Sequence, residues 1–310
     1  LMDISIIIVT KDRPRDLEVC LSSIWEQSLF PMEVVIVDAS QATHGEAISK
    51  SWQSKGSIEL KHIQVRPDLG IERQRNKGIG NSIGQVVGFL DDDAILHKQC
   101  LKSIETHFLE DCNLGGVGAM NGEIFEIPWL KRLFWRIFML PRFDGKGRIQ
   151  PSGYPAFCNK PGSDVAEVEC IPGVAAFFKR EVVDQFQFNE DIPATGCMED
   201  VDFSFRVSKR YKLIQSGQAR IYHKSSKQAR SPLNVRAYMM IYYHGYFFNK
   251  YIEKSFPSRV ALIWSRLGEI LRVCHWAFKE QSLEPFRGAF KAYQHILRDA
   301  KSKCRNENKP

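Results

Sequence analysis

No two cysteines in this 310-residue chain are spaced as C-x-x-C, although there are eight: Cys20, Cys100, Cys112, Cys158, Cys170, Cys197, Cys274 and Cys304. Scattered thiols of this kind suit buried side chains in a reducing compartment and argue against a zinc site. Long apolar runs are missing too. None reaches the roughly 20 residues that a membrane-spanning helix needs, and the N-terminus reads as a strand with no signal-peptide layout. Internal repeats and recognisable nucleic-acid motifs are also absent. Thr10-Lys11-Asp12-Arg13-Pro14, which follows the first apolar run, contains no glycine. That weakens a sugar nucleotidyltransferase reading, because such enzymes carry a glycine-rich basic loop there.

What is present is ordinary in bulk. With 44% hydrophobic and 25% charged residues, the composition is that of a globular protein with a real core. The formal charge of +7 favours polyanionic partners, whether nucleic acid, anionic lipid or phosphorylated substrates. A purely basic polyanion binder would show a basic face without an acidic cluster at its crevice, and the acids below count against it.

Strand and helix patterns alternate up to about residue 95. Ile4 to Val9 is a β-branched run, and Pro14 opens a helix with Leu17, Leu21 and Ile24 at helical spacing. Glu33 to Val37 reads as a second strand ending in Asp38. Ala47 to Trp52 reads as a short helix, Ile58 to Val65 as a strand, Ile71 to Ile83 as a helix and Val86 to Leu90 as a strand. Repeated βαβ units imply a parallel sheet with right-handed crossovers. Thr10, Asp38 and Asp91 then share its carboxyl edge, where ligands bind in open α/β folds. Gly78, Gly80 and Gly84 precede a strand, so they cannot be a phosphate loop, which must follow one.

Further on, Leu101 to Leu109 is expected as a helix, and Gly116 to Ile127 and Val168 to Phe178 as strands. Glu199 to about Tyr211 follows as a helix, then a strand from Leu213 to Tyr222 ending at His223. Residues 128–165 read as an insertion, and 232–302 as largely helical.

Asp91-Asp92-Asp93 stands directly after the apolar run Val86 to Leu90. Adjacent carboxylates repel one another, and a hard divalent cation shared with a substrate phosphate relieves that. The plainer alternative is a solvated helix cap.

Six motifs, in this order, resemble the family 2 glycosyltransferases of the GT-A fold: Ile7 to Pro14, Val35 to Ser40, Arg75-Asn76-Lys77-Gly78, Leu90 to Asp93, Glu199-Asp200-Val201-Asp202, and His223. The resemblance covers roughly residues 3–225. It implies an α/β fold with a mostly parallel, Rossmann-like sheet flanked by helices, followed by a helical C-terminal extension. The implied domains are 1–230, divided at about residue 95 into nucleotide-binding and acceptor halves, and 231–310.

The implied activity is inverting, metal-dependent transfer of a sugar from a nucleotide-diphospho-sugar to a glycan or lipid-linked glycan in envelope polysaccharide synthesis. By resemblance, Thr10, Arg13, Asp38, Arg75, Asp91 and Asp92 bind the donor. Asp93 and His223 hold Mn²⁺ or Mg²⁺, Asp200 is the catalytic base, and Glu199 orients the acceptor or caps its helix. Asp202 is expected to be structural. Ala39 stands where the family often has a second polar residue, which removes one contact to the base.

The stretch Ile127 to Phe138 places Lys131, Arg132 and Arg136 opposite Trp129, Leu130, Leu133, Phe134 and Ile137 on a helical wheel. Two readings stand: a helix lying on an anionic membrane surface, or one packed on the core. The first goes with an enzyme peripheral to the inner face of the cell membrane. No nucleic-acid partner is expected.

Overall fold

The structure, a computed structural model, describes residues 1–42, 44–122, 127–158, 165–191, 197–226 and 231–307. It divides into two compact units. The first comprises Leu1–Glu126, Phe143–Arg148 and Phe157–Ala229; the second comprises Ile127–Arg142, Ile149–Ala156 and Arg230–Pro310.

In chain order the first half runs β1 (Ile4–Thr10), α1 (Pro14–Trp25), β2 (Glu33–Asp38), α2 (His44–Gln53), β3 (Glu59–Gln64), α3 (Ile71–Gly80), β4 (Val86–Asp91) and β5 (Ala94–Leu96). Then come α4 (Cys100–Glu110), β6 (Leu114–Asn121), α5 (Trp129–Ile137), β7 (Asp144–Ile149), β8 (Pro155–Cys158), β9 (Val165–Glu167) and β10 (Ala175–Lys179). The chain continues through α6 (Arg180–Gln185), α7 (Glu199–Ser208), β11 (Lys212–His223), α8 (Leu233–Tyr251), α9 (Phe256–Lys279) and α10 (Glu284–Glu307).

The main sheet has the order β3-β2-β1-β4-β10-β6-β11-β5, with β9 also paired to β11. Strands β3, β2, β1 and β4 are parallel, as are β6 and β11, and β10 inserts antiparallel between β4 and β6. The fold is therefore the expected mostly parallel α/β sheet flanked by helices. Buried on both faces, its strands read as continuous apolar runs, Ile6-Ile7-Ile8 and Val34-Val35-Ile36-Val37 among them. One face packs on α1 and α4 through Leu17, Leu21, Ile24, Leu101 and Ile104. The other buries Phe89, Phe178, Phe188 and Phe203, with Phe188 stacked on Phe203 at 4.4 Å. Register places Thr10 beside Asp38 and Val9 beside Asp91, so the carboxyl ends of three strands meet at one edge.

Several boundaries differ from the sequence reading. Val168 to Phe178 is not one strand: β9 ends at Glu167 and β10 begins at Ala175. Pro172-Gly173 lies between them, and a proline removes a ladder donor. Helix α3 ends at Gly80 rather than Ile83, and α7 at Ser208 rather than Tyr211. Strand β6 ends at Asn121, and residues 123–126 of the expected strand lie outside the described ones. The short β5 was not expected; three residues are too few to show a period.

The second unit is built from α5 and the helices α8 to α10. Ala237, Met240, Ile241, Val273, Ala289 and Ala292 form its apolar centre. Beside it, Glu269 is fully buried and accepts hydrogen bonds from Arg266 Nη1 at 2.7 Å and from the Tyr154 hydroxyl. His244 Nδ1 lies 2.9 Å from the same carboxylate. Helix α5 has no buried residue.

Candidate active site

The acidic triplet is the turn by which the chain leaves β4, and its members face three different neighbourhoods. Asp92 is buried; its Oδ2 accepts from the Thr10 hydroxyl at 2.7 Å and its Oδ1 from Arg13 Nη1 at 3.1 Å. Burial pushes its carboxyl up to about 6, with Arg13 and Thr10 opposing the shift. Thr10 and Arg13, expected at the donor, are thus also engaged with the triplet.

Asp93 has partners of its own. Its Oδ1 lies 3.1 Å from His223 Nε2, and its Oδ2 accepts the Ser226 amide at 2.8 Å. Burial would raise this carboxyl, but His223 and the amide outweigh it and hold it below the usual range. The His223 imidazole shifts upward: burial would lower it, and the bond to Asp93 prevails. One ligand atom from each of Asp91, Asp93 and His223 falls within 4.8 Å of the others. Two carboxylates and an imidazole make a donor set suited to Mn²⁺ or Mg²⁺, with room in the shell for substrate oxygens. These residues fit the expected cation. Repulsion within the triplet is a weaker argument for it, because Arg13 and Arg75 already flank the acids.

Arg75 differs most from expectation. The resemblance puts it against the nucleotide, yet its side chain is buried, with Nη1 3.1 Å from Glu199 Oε1 and Nη2 3.4 Å from Asp91 Oδ1. Nη2 also lies 3.4 Å from the Gly173 carbonyl. Acids gathered at one sheet edge need a counter-charge, and Arg75 on α3 supplies it.

Glu199 and Asp200 open α7, where the helix dipole favours negative charge. Met198, just before them, has the left-handed φ of 67°. Asp200 Oδ2 accepts the Gly173 amide at 2.8 Å and Oδ1 the Val201 amide at 2.8 Å. Glu199 is pushed up to about 8, by burial first and by the Asp200 charge second. Asp200 also moves upward through burial, with its two amide bonds and Arg75 opposing. Asp202 is buried and accepts from Arg206 Nε at 2.9 Å across one helical turn, the structural role expected of it.

Next to the triplet, a cleft of about 250 Å³ is lined by Thr10, Asp12, Ser40, Ala42, His44 and Gly45, among others. Asp38 does not face it openly. Its side chain is fully buried, with Oδ1 accepting the Ser40 amide at 2.8 Å and Oδ2 3.2 Å from His62 Nε2. Gly45 lies directly against it, and a Cβ there would overlap the Asp38 carboxylate. Burial would raise the Asp38 carboxyl, but His62 and Ser40 outweigh it and keep it low.

Asp12 and Ser40 lie inside the motifs read from the sequence, but their link was not legible there: the Asp12 amide donates to the Ser40 hydroxyl at 2.8 Å and joins the two loops. Sequence reasoning missed Gly173 and Ser226, whose amides hold Asp200 and Asp93. Pro172-Gly173 stands inside a segment that reads from sequence as one strand, and nothing local names the partner of the Gly173 amide.

Residues 5–160 match the family model "Glycosyl transferase family 2". The chain belongs to that family. Among curated proteins, Uncharacterized protein MT1568 of Mycobacterium tuberculosis (strain CDC 1551 / Oshkosh) is 29% identical over 130 residues, 42% of this chain. The match spans only 40% of that relative's length. Among solved structures, S. aureus TarS 1-349 in complex with UDP-GlcNAc superposes with a TM-score of 0.59 at 17% identity, over 96% of this chain and 81% of that one. The mannosyltransferase PcManGT from Pyrobaculum calidifontis, in complex with GDP-Man and Mn²⁺, gives 0.57 at 16% identity over 100% and 90%. At such identities the likeness establishes a shared fold.

Proposed function

We propose that this family member transfers a sugar, with inversion, from a nucleotide-diphospho-sugar to a hydroxyl of a glycan or lipid-linked glycan acceptor in envelope polysaccharide synthesis. One observation carries the reading: Asp91, Asp93 and His223 gather beside a cleft at the sheet edge, and Arg75 ties them to the Glu199-Asp200 pair. The donor occupies the cleft near Thr10, Asp12 and Ser40. Mn²⁺ or Mg²⁺ held by Asp91, Asp93 and His223 supplies charge neutralisation for the diphosphate leaving group.

Asp200 takes the proton of the acceptor hydroxyl as the new bond forms at the anomeric carbon and the bond to the diphosphate breaks. Two neighbouring buried carboxylates do not ionise together easily. The two backbone amides donated to Asp200 favour its ionised form, so Glu199 holds the shared proton and Asp200 acts as base.

No helix among the described residues is long and apolar enough to cross a membrane. The proposal places the enzyme at the inner face of a cell membrane, where a lipid-linked acceptor is met. Exposed apolar side chains on α5 support this. Against the polyanion-binder reading stands the acidic cluster at the sheet edge, and against the nucleotidyltransferase reading the glycine-free loop after β1.

The test is a thermal-shift panel of UDP and GDP with and without Mn²⁺. Ligands that bind the native state raise apparent stability, so one diphosphate should stabilise the protein more strongly with the metal than without it. A protein indifferent to every nucleoside diphosphate, metal present or not, would defeat the proposal.

A further inference from the structure

Helix α9 is twenty-four residues long, about 36 Å at 1.5 Å per residue. Phe256, Val260, Ile263, Leu267, Ile270 and Phe278 recur along it at helical spacing, and all six are exposed, Phe256 and Phe278 by more than four-fifths. Spacing of this kind builds one continuous apolar stripe. Among the described residues of the second unit nothing covers it. Its opposite face is packed through Ala261, Ser265, Glu269 and Val273.

The stripe continues onto α5. Trp264 Nε1 donates to the Ile137 carbonyl at 2.7 Å, and the Trp264 ring stacks on Phe138 at 5.2 Å. Gly268 permits this close approach; a Cβ there would overlap Phe138. Trp129, Leu130, Leu133 and Ile137 of α5 are exposed beside that junction. Two helices thus present one apolar face, far more than the scattered single side chains of an ordinary surface.

Charge selects the occupant. Helix α5 contains no acidic residue, and the only one in α9, Glu269, is fully buried. Lys131 and Arg132 on α5 and Arg259 on α9 are exposed basic residues, whereas Lys254 and Lys279 at the two ends of α9 each stand next to an exposed acid, Glu253 and Glu280. A second copy of this chain would bring like charges together around the apolar strip, which opposes self-association. An anionic bilayer complements both features.

The geometry points to the joined face of α5 and α9 as a reversible docking surface for anionic membranes, its apolar side chains entering the acyl boundary and its basic residues meeting the headgroups. This deepens the membrane part of the proposed function and rests on that reading for the acceptor alone; the docking itself needs no donor chemistry.

The experiment is co-sedimentation of the full chain with vesicles of phosphatidylcholine, alone or mixed with phosphatidylglycerol. The parent should bind the mixed vesicles, more weakly as salt is raised, and bind phosphatidylcholine alone poorly. The triple variant F256S/I263S/F278S should lose partitioning by on the order of tenfold or more, with an unchanged melting temperature because all three side chains are exposed. K131Q/R132Q should lose the salt-dependent part of binding.

Undiminished binding of the triple variant would overturn the proposal. So would a parent dimer in sedimentation that the triple variant converts to monomer, since a second copy would then cover the face. Nucleoside-diphosphate stabilisation, measured on the same samples, reads the catalytic reading separately. Its absence with vesicle binding intact would sink the transferase proposal alone.

Discussion

Arg75 Nη1 stands 3.1 Å from Glu199 Oε1, across 124 positions of sequence, and its other terminal nitrogen lies 3.4 Å from Asp91. One buried guanidinium therefore joins the first residue of α7 to the last residue of β4. In the proposed reaction those elements carry the acceptor base and the donor-side acids, so Arg75 fixes their separation. Burial would lower its pKa, but Glu199 and Asp91 outweigh that and keep it charged.

Arg75→Met should accordingly do more harm than a surface change. Breaking a buried pair by removing one partner typically costs about 3–5 kcal/mol, and the proton that Glu199 already holds in the parent places the cost mainly on Asp91. Arg75→Lys keeps the charge without the two-pronged reach. Chemical unfolding should rank the variants as parent, then Lys, then Met. A Met variant as stable as the parent would show that the pairing does not hold the site together.

Asp93→Asn tests the cation. The Ser226 amide can still bond to the remaining carbonyl oxygen, so the fold should persist. Stabilisation by nucleoside diphosphate with Mn²⁺ should fall to the level seen without metal. Retention of the full metal-dependent shift would remove Asp93 from the ligand set.

The sequence carried the fold because β1 and β2 are rich in consecutive β-branched residues and β4 is an apolar run, and parallel pairing follows from alternation with helices. It also carried the acids, since Asp91 and Asp200 stand at points where an apolar run stops or a helix begins. Arg75 was legible as a residue but not as a link, because nothing local encodes a partner 124 positions away. The burial of Asp38 was not legible for a related reason: Gly45, in the first turn of α2, lies against its carboxylate, and sequence does not report coverage. The antiparallel setting of β10 between β4 and β6 was hidden because a short buried strand carries no sign of its direction. The exposure of α9 was invisible too, as an apolar stripe reads the same whether it is covered or bare.

Asp200→Asn should retain donor and metal binding and lose transfer by roughly two to four orders of magnitude, the scale of general-base removal. An amide can keep at least one of the two backbone bonds that hold the side chain. Because burial raises the Asp200 carboxyl, the acidic limb of the pH–rate profile should lie above the ordinary aspartate range. Should Glu199→Gln be the inactive variant while Asp200→Asn turns over normally, the two roles are exchanged.

The upward shift of Glu199 also makes a prediction about stability that needs no substrate. A carboxyl near 4.5 in the unfolded chain and about 8 in the folded one takes up a proton on folding throughout that interval. The native state then binds more protons than the unfolded state, so stability must fall as pH rises between the two values. Its contribution is fully present below the unfolded pKa and is lost once pH passes the folded one. The slope from one group cannot exceed about 1.4 kcal/mol per pH unit. Glu199→Gln mimics the protonated side chain, keeps its shape and cannot ionise. Urea midpoints measured at about pH 5 and about pH 8 should drop for the parent and change much less for the variant, which becomes the more stable protein at the higher pH. If parent and variant fall in parallel, Glu199 is already ionised in the native site, with Arg75 as its settled counter-charge, and the proton assigned to this pair belongs elsewhere.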